Sequence, residues 1–309
     1  MNALSKASVR CEGIVVPLVT PIDENEAVDE AGLKRLIDFM AEGGVHGVFV
    51  MGSTGEVARF DEGQWLRAVE IAARHAKGRS TVYAGAMMPG LEQSLRRVRL
   101  AESAGADVVV LTPGFYYPLS QDEMVRYFCR IAEEANLPVC LYNIPPYTSS
   151  VIEPETLAKV ADAVPVAGIK DSSGDIDLIA RYLEVAKARN LPVLAGSESI
   201  LAGALRLGAA GAVPSLGNVF PKLLVEVYDA GRSGEWNRVD ALCGVIGEIN
   251  KLNGFTRSSL ATVSWKKYAL ERMGICSARK TEPAEPLSEE YRNAVDAVLR
   301  QHGLLPSQR

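Results

Sequence analysis

Histidine is nearly absent from this chain, with only His46, His75 and His302 among 309 residues. They are far apart and form no cluster with carboxylates, which argues against a metal-dependent mechanism, and no metal or other cofactor is expected. Cysteine is also sparse. Cys11, Cys129, Cys140, Cys243 and Cys276 make an odd count without any C-x-x-C pair, which excludes a disulfide framework and a zinc knuckle and points to a reducing, cytoplasmic compartment. There is no excess of positive charge. Against 38 Asp plus Glu stand 33 Lys plus Arg, dispersed along the chain, so nucleic acid is not an expected partner. No apolar run reaches the roughly 18 residues of a membrane span, and the N-terminal stretch through Pro21 has no continuous apolar segment of the kind a secretory leader carries. Aromatic residues are few, at 6%, but hydrophobic residues make up 48% of the chain, enough to bury a sizeable core.

What is present is a recurrent short apolar run, rich in Val and Ile. Eight can be counted, beginning at Gly13, Val45, Ser80, Ala106, Pro138, Val166, Pro192 and Gly211. None alternates, which is how a parallel strand covered on both faces reads. Helical segments lie between them. One starts at Asp61 with Trp65, Val69, Ala72 and Ala73 on one face. Another starts at Ser120 with Glu123 in the capping-box position, placing Met124, Phe128 and Ile131 on one stripe. Several end in glycine just before the next strand, as in EGGVHGVFV, SAGADVVVL and RLGAAGAVP. Eight β-α units over about 220 residues fit a closed (β/α)8 barrel of the TIM type. An open doubly wound sheet would want a G-x-G-x-x-G turn after its first strand, and the chain has none. Beyond residue 218 the pattern is helical, so residues 12–232 are expected to form the barrel and 233–305 a helical extension packed on it. No flexible linker separates them.

In such a barrel the chemistry sits at the C-terminal ends of the strands. Of eleven lysines, Lys170 alone is placed at the end of an apolar run, in VAGIKDSSGD. Desolvation there disfavours the ammonium and frees an amine to attack a carbonyl; the plainer alternative pairs Lys170 with Asp171. The fifth run ends in Tyr142, a possible acid/base or simply a packed phenol. The second ends in Gly52-Ser53-Thr54-Gly55-Glu56, whose hydroxyls and amides could hold a carboxylate or simply make a tight turn. The fourth ends in Phe115, Tyr116 and Tyr117.

GSTGE, YNIP and GIKDSSG, in that order and spacing, resemble the dihydrodipicolinate synthase / N-acetylneuraminate lyase family of Schiff-base aldolases, over roughly residues 12 to 300. The resemblance implies an imine between Lys170 and pyruvate or another 2-oxo acid, with Tyr142 as acid/base and Ser53 and Thr54 gripping the adjacent carboxylate. It further implies a proton relay through Ser53 and a tyrosine best matched by Tyr116, with Phe115 and Tyr117 competing for the alignment, and a homo-oligomer, commonly a tetramer of tight dimers. One position departs from the synthase pattern: Tyr147 stands where an arginine would clamp aspartate semialdehyde. Losing that charge-assisted pair costs about 1.5–3 kcal/mol. Poor turnover of the semialdehyde is therefore expected. With Ser172, Glu198 and Ser215 aligned to positions that contact substrate hydroxyls, and Gly196 allowing close approach, the expectation favours a 3-deoxy-2-oxo sugar acid or sialic-acid-like substrate. The synthase reaction, a dehydratase using the same imine, and a catalytically silent barrel binding a 2-oxo acid are the alternatives.

Overall fold

The computed structural model describes residues 9–255 and 259–306, so the N-terminal stretch read above for a leader lies partly outside the described residues. Eight strands form a closed barrel in sequential order: β1 (Gly13–Pro17), β2 (Gly47–Val50), β3 (Thr81–Gly85), β4 (Val108–Leu111), β5 (Val139–Asn143), β6 (Gly168–Asp171), β7 (Val193–Ala195) and β8 (Gly211–Ala212). Every pairing is parallel, including β8 with β1, which closes the ring. The chain is thus a (β/α)8 barrel with further helices at its C-terminus.

Two cores follow from strands buried on both faces. Inside the barrel, Val15, Phe49, Tyr83, Val108, Val110, Cys140, Tyr142 and Leu194 pack together. The larger core lies between barrel and helices, with Ile14, Val48, Val109, Leu141 and Ile169 pointing outward onto Trp65, Phe128 and Tyr182. Successive residues of one strand therefore serve different cores, and both faces being dry explains the unbroken apolar runs.

The helix boundaries follow local chemistry. Asp61 accepts from the Gln64 amide at 2.8 Å and opens helix Glu62–His75, whose Trp65, Val69, Ala72 and Ala73 are all buried. Ser120 and Glu123 complete a reciprocal capping box ahead of helix Gln121–Glu134. Gly105 and Gly208 end their helices at φ 84 and 101, where a side chain would be strained. In EGGVHG the helix closes on Gly43 with ordinary right-handed backbone, and the left-handed residue is Gly44.

Helix Pro221–Arg232 completes the barrel. Helices Trp236–Asn250, Ser259–Arg272 and Glu289–Gln301 follow. They are fastened to the barrel at several points: Arg206 lies over the Trp236 ring, Phe220 meets His302 edge-on, and Arg35 Nε donates to the Ile275 carbonyl at 2.7 Å. No helix of the described residues is long and apolar enough to cross a membrane.

Candidate active site

Register between β5 and β6 sets Tyr142 beside Lys170 and Asn143 beside Asp171. Because side chains alternate, the first pair points into the barrel and the second points out. Lys170 and Tyr142 are 5% and 2% exposed, and the ammonium lies 3.7 Å from the centre of the phenol ring and 5.1 Å from that of Phe49. Among the described residues Lys170 forms no ion pair. Asp171 faces away from it and is held by Asn143 Nδ2 at 2.6 Å and by the Ser173 hydroxyl at 2.7 Å. Burial raises the Asp171 carboxyl above its ordinary range, and the bonds from Ser173 and Asn143 act against that shift. Asn143 also accepts from the Ile152 amide at 2.9 Å, tying the strand ends to the following loop. This outward network anchors the strands that carry Lys170 and Tyr142.

The Tyr142 hydroxyl accepts from Ser172 Oγ at 3.4 Å, its one hydrogen bond among the described residues. Ser172 in turn sits against Gly196: a Cβ on that glycine would lie 2.0 Å from Ser172 Oγ and 2.8 Å from the Asp171 carbonyl oxygen. Gly196 therefore permits the close approach of β6 and β7 that brings Ser172 to the phenol.

After β2 the chain turns sharply through Met51 to Val57. Met51 and Glu56 both have left-handed backbone, φ 53 and 59, which is rare for residues bearing side chains. The amides of Gly55, Glu56 and Val57 are spent on the carbonyls of Gly52 and Ser53. Those of Ser53 and Thr54 make no hydrogen bond among the described residues, and both residues are half-buried, so the turn after β2 keeps unspent donors. Ser53 opens onto a cavity of about 370 Å³ whose wall includes Met87, Thr112, Phe115, Ile144 and Tyr147.

The remaining predicted residues fall in two places. Glu198 and Ser215 are bonded to each other: Glu198 Oε1 accepts from Ser215 Oγ at 3.2 Å and from the Leu216 amide at 2.8 Å. Tyr116 projects outward, 83% exposed with φ 79, and makes an edge-to-face pair with Tyr117. Of the three aromatic residues in that loop, Phe115 is the one lining the cavity.

Among the cavity residues that the sequence did not single out are Thr112 and Arg59. Thr112, just past β4, is 3% exposed and its hydroxyl has no hydrogen-bond partner among the described residues. Arg59, just past the Ser53 loop, lines the same cavity as Tyr147 and donates to the Glu282 carbonyl. A strand-end threonine could have been found from its position. Arg59 could not, because it ends a three-residue 3-10 turn, Val57–Arg59, too short to carry a periodic signal. Among the described residues no three His, Cys, Asp or Glu side chains converge as metal ligands would.

The chain matches the model of the Dihydrodipicolinate synthetase family over residues 10–302. It is 31% identical to a 4-hydroxy-tetrahydrodipicolinate synthase of Methanopyrus kandleri over 297 residues, 96% of this chain and 97% of that one. An uncharacterized DapA-like lyase of Halobacterium salinarum is 33% identical over 296 residues, 95% and 94% of the two chains. Among solved structures, dihydrodipicolinate synthase from Thermotoga maritima superposes with a TM-score of 0.90 at 27% identity, over 96% of this chain and 100% of that one. YagE, a prophage protein of that family from E. coli, in complex with pyruvate, gives 0.88 at 27% identity over 95% and 99%. With the barrel, the inward Lys170–Tyr142 pair and a match along nearly its whole length, the chain belongs to the dihydrodipicolinate synthetase family and is a carbon–carbon lyase of the aldolase type.

Proposed function

We propose that Lys170 forms an imine with pyruvate and that the enzyme joins the resulting enamine to an aldehyde bearing its own carboxylate. The observation that carries the first part is the dry, inward-facing apposition of Lys170 and Tyr142, 3.7 Å from ammonium to ring. The amine attacks C2 of the 2-oxo acid and water leaves. The iminium then draws electrons from C3, which loses a proton to become the nucleophile. Tyr142, bonded to Ser172, is placed to carry that proton and to protonate the alkoxide formed when C3 attacks the aldehyde. Ser53 and Thr54 hold the carboxylate next to the imine through hydroxyls and free amides. Run backwards, the same steps release pyruvate from an aldol.

For the second substrate, two observations favour the synthase reaction with aspartate semialdehyde over a sugar acid. Arg59 shares the cavity with Tyr147, and beyond the donor it spends on the Glu282 carbonyl its guanidinium keeps others for a second carboxylate, although position 147 has none. Glu198 and Ser215, aligned with hydroxyl-reading positions, are engaged with each other and with Leu216, and Ser172 is engaged with Tyr142. The name borne by the Methanopyrus relative points the same way. The homo-oligomer and the reducing compartment belong to this proposal too, supported by the exposed Tyr116–Tyr117 pair and by five unpaired cysteines.

Borohydride added with pyruvate is expected to place the reduced adduct on the peptide containing Lys170; an adduct elsewhere would sink the mechanism. In a panel of aldehydes supplied with pyruvate, aspartate semialdehyde should outperform uncharged sugars, and Arg59→Leu should raise its KM about tenfold or more while leaving pyruvate trapping intact. Preferential release of pyruvate from 3-deoxy-2-oxo sugar acids would restore the sugar-acid reading, and retention of the whole carbon chain would indicate dehydration.

A further inference from the structure

Glu56 ends the Ser53 loop with a carboxylate that is almost wholly buried, its side chain 1% exposed, and Oε1 lies 2.6 Å from the ammonium of Lys267, 0% exposed, on helix Ser259–Arg272. Neither of these two atoms has another hydrogen-bond partner among the described residues. The other oxygen, Oε2, accepts from the Thr281 hydroxyl at 2.6 Å and from the Thr281 amide at 3.2 Å. One side chain of the β2 loop is thus gripped by two points of the C-terminal extension, more than 200 residues away in sequence.

An ion pair this dry is weak evidence of stabilisation, since two well-packed apolar residues serve as well or better. Burial indeed pulls the Lys267 ammonium down from its ordinary range against the attraction of Glu56. What the pair does provide is a fixed position. The Glu56 amide donates to the Ser53 carbonyl at 3.1 Å, and Thr20 Oγ1 donates to the Gly55 carbonyl at 2.7 Å, so the loop moves with Glu56 or not at all. The strap continues past Thr281: Glu282 takes the Arg59 guanidinium on its carbonyl and donates its amide to Glu26 at 2.9 Å.

We infer that Glu56, Lys267 and Thr281 form a clamp through which the C-terminal extension sets the position of the Ser53–Thr54 cradle, making Glu56 and Lys267 positioning residues for the carboxylate of the 2-oxo acid. The inference rests on the proposed reading of that cradle as the carboxylate site. It gives the extension a role in catalysis without placing any of its atoms on the substrate.

The test measures borohydride trapping of pyruvate at Lys170 in the full chain as a function of pyruvate concentration. In Glu56→Gln and Lys267→Met the half-saturating pyruvate concentration should rise about tenfold, with the trapping rate at saturation changed less than twofold. Thr281→Val, which leaves both charges in place, should raise it about threefold. The double variant E56Q/K267M removes both charges together and guards against loss of folding from one unpaired buried ion. Hydrogen exchange of the peptide spanning residues 50–60 should quicken in the same variants while peptides from β4 and β5 stay unchanged. Ser53→Ala separates the two readings. If it raises half-saturation and the clamp variants do not, the clamp is overturned and the cradle stands. If Ser53→Ala leaves half-saturation unchanged, the cradle reading fails and the catalytic role of the clamp fails with it.

Discussion

Lys170 stands out among eleven lysines because it alone ends an apolar strand, yet it is not the most deeply buried one: Lys266 and Lys267 are 2% and 0% exposed on a helix far downstream. The difference lies in what a single residue's neighbours in sequence can reveal. A strand of four residues declares its direction and its mouth end, whereas a lysine on a helix declares only a face, and which face is covered depends on the partner. Gly196 is a similar case. The resemblance makes it a place of close approach by substrate, and a further reason for glycine emerges from the space around it, where a Cβ would meet Ser172 Oγ at 2.0 Å and the Asp171 carbonyl at 2.8 Å. Gly196→Ala must push β6 and β7 apart or rotate Ser172 away from Tyr142. A loss of about 1–3 kcal/mol in stability is expected from such overpacking, together with a fall in kcat of tenfold or more as the phenol loses its partner. Thermal unfolding and steady-state kinetics on the same preparation check both; unchanged kcat would show that Ser172 does not matter to Tyr142.

At the scale of elements, the eight strands and the helices between them were legible because each carries its own signal. Strands buried on both faces read as unbroken Val and Ile, and helices announce their first turn by a cap. Ser120 shows this most fully, with both halves of its capping box formed. Ser120→Ala should therefore cost about 1 kcal/mol and leave half-saturation by pyruvate unchanged, because the buried residues of helix Gln121–Glu134 pack in the outer core and Tyr142 in the inner one. Urea unfolding followed by circular dichroism measures the first, and pyruvate trapping the second. The irregular segments were less legible. In the loop after β4, three consecutive aromatic residues are equivalent in sequence, and only the backbone, left-handed at Tyr116, sends Phe115 inward and the two tyrosines out. Arg59 likewise reaches the cavity from a segment with no periodicity, where the Thr281–Glu282 strap rather than local propensity sets the path.

For the whole molecule, the C-terminal extension brings two buried cations against the barrel. Lys266 is pulled down to about 8 by burial, with the charge of Glu198 acting in the opposite direction. Its ordinary value is 10.5, so between about pH 8 and 10.5 the unfolded chain holds a proton that the folded chain has released. Stability then rises with pH across that window, because burial disfavours the charged form in the folded chain. The shift corresponds to an effect on the order of 3 kcal/mol. Compared with Lys266→Met, in which this group is absent and other titrations are shared, the wild-type chain should gain relative stability as pH rises from 7 to 10.5. Denaturant unfolding of both proteins at several pH values checks it, and parallel curves would refute it.

The sequence by itself determined the barrel, the strand order and the inward lysine and tyrosine, because those follow from burial patterns and caps that act over a few residues. Tertiary structure alone decided which aromatic residue faces the cavity, that Arg59 stands beside Tyr147, that Glu198 turns to Ser215, and that Lys267 meets Glu56. Each of these joins groups from separate segments whose approach is set by close packing, and no local preference encodes a distance between them.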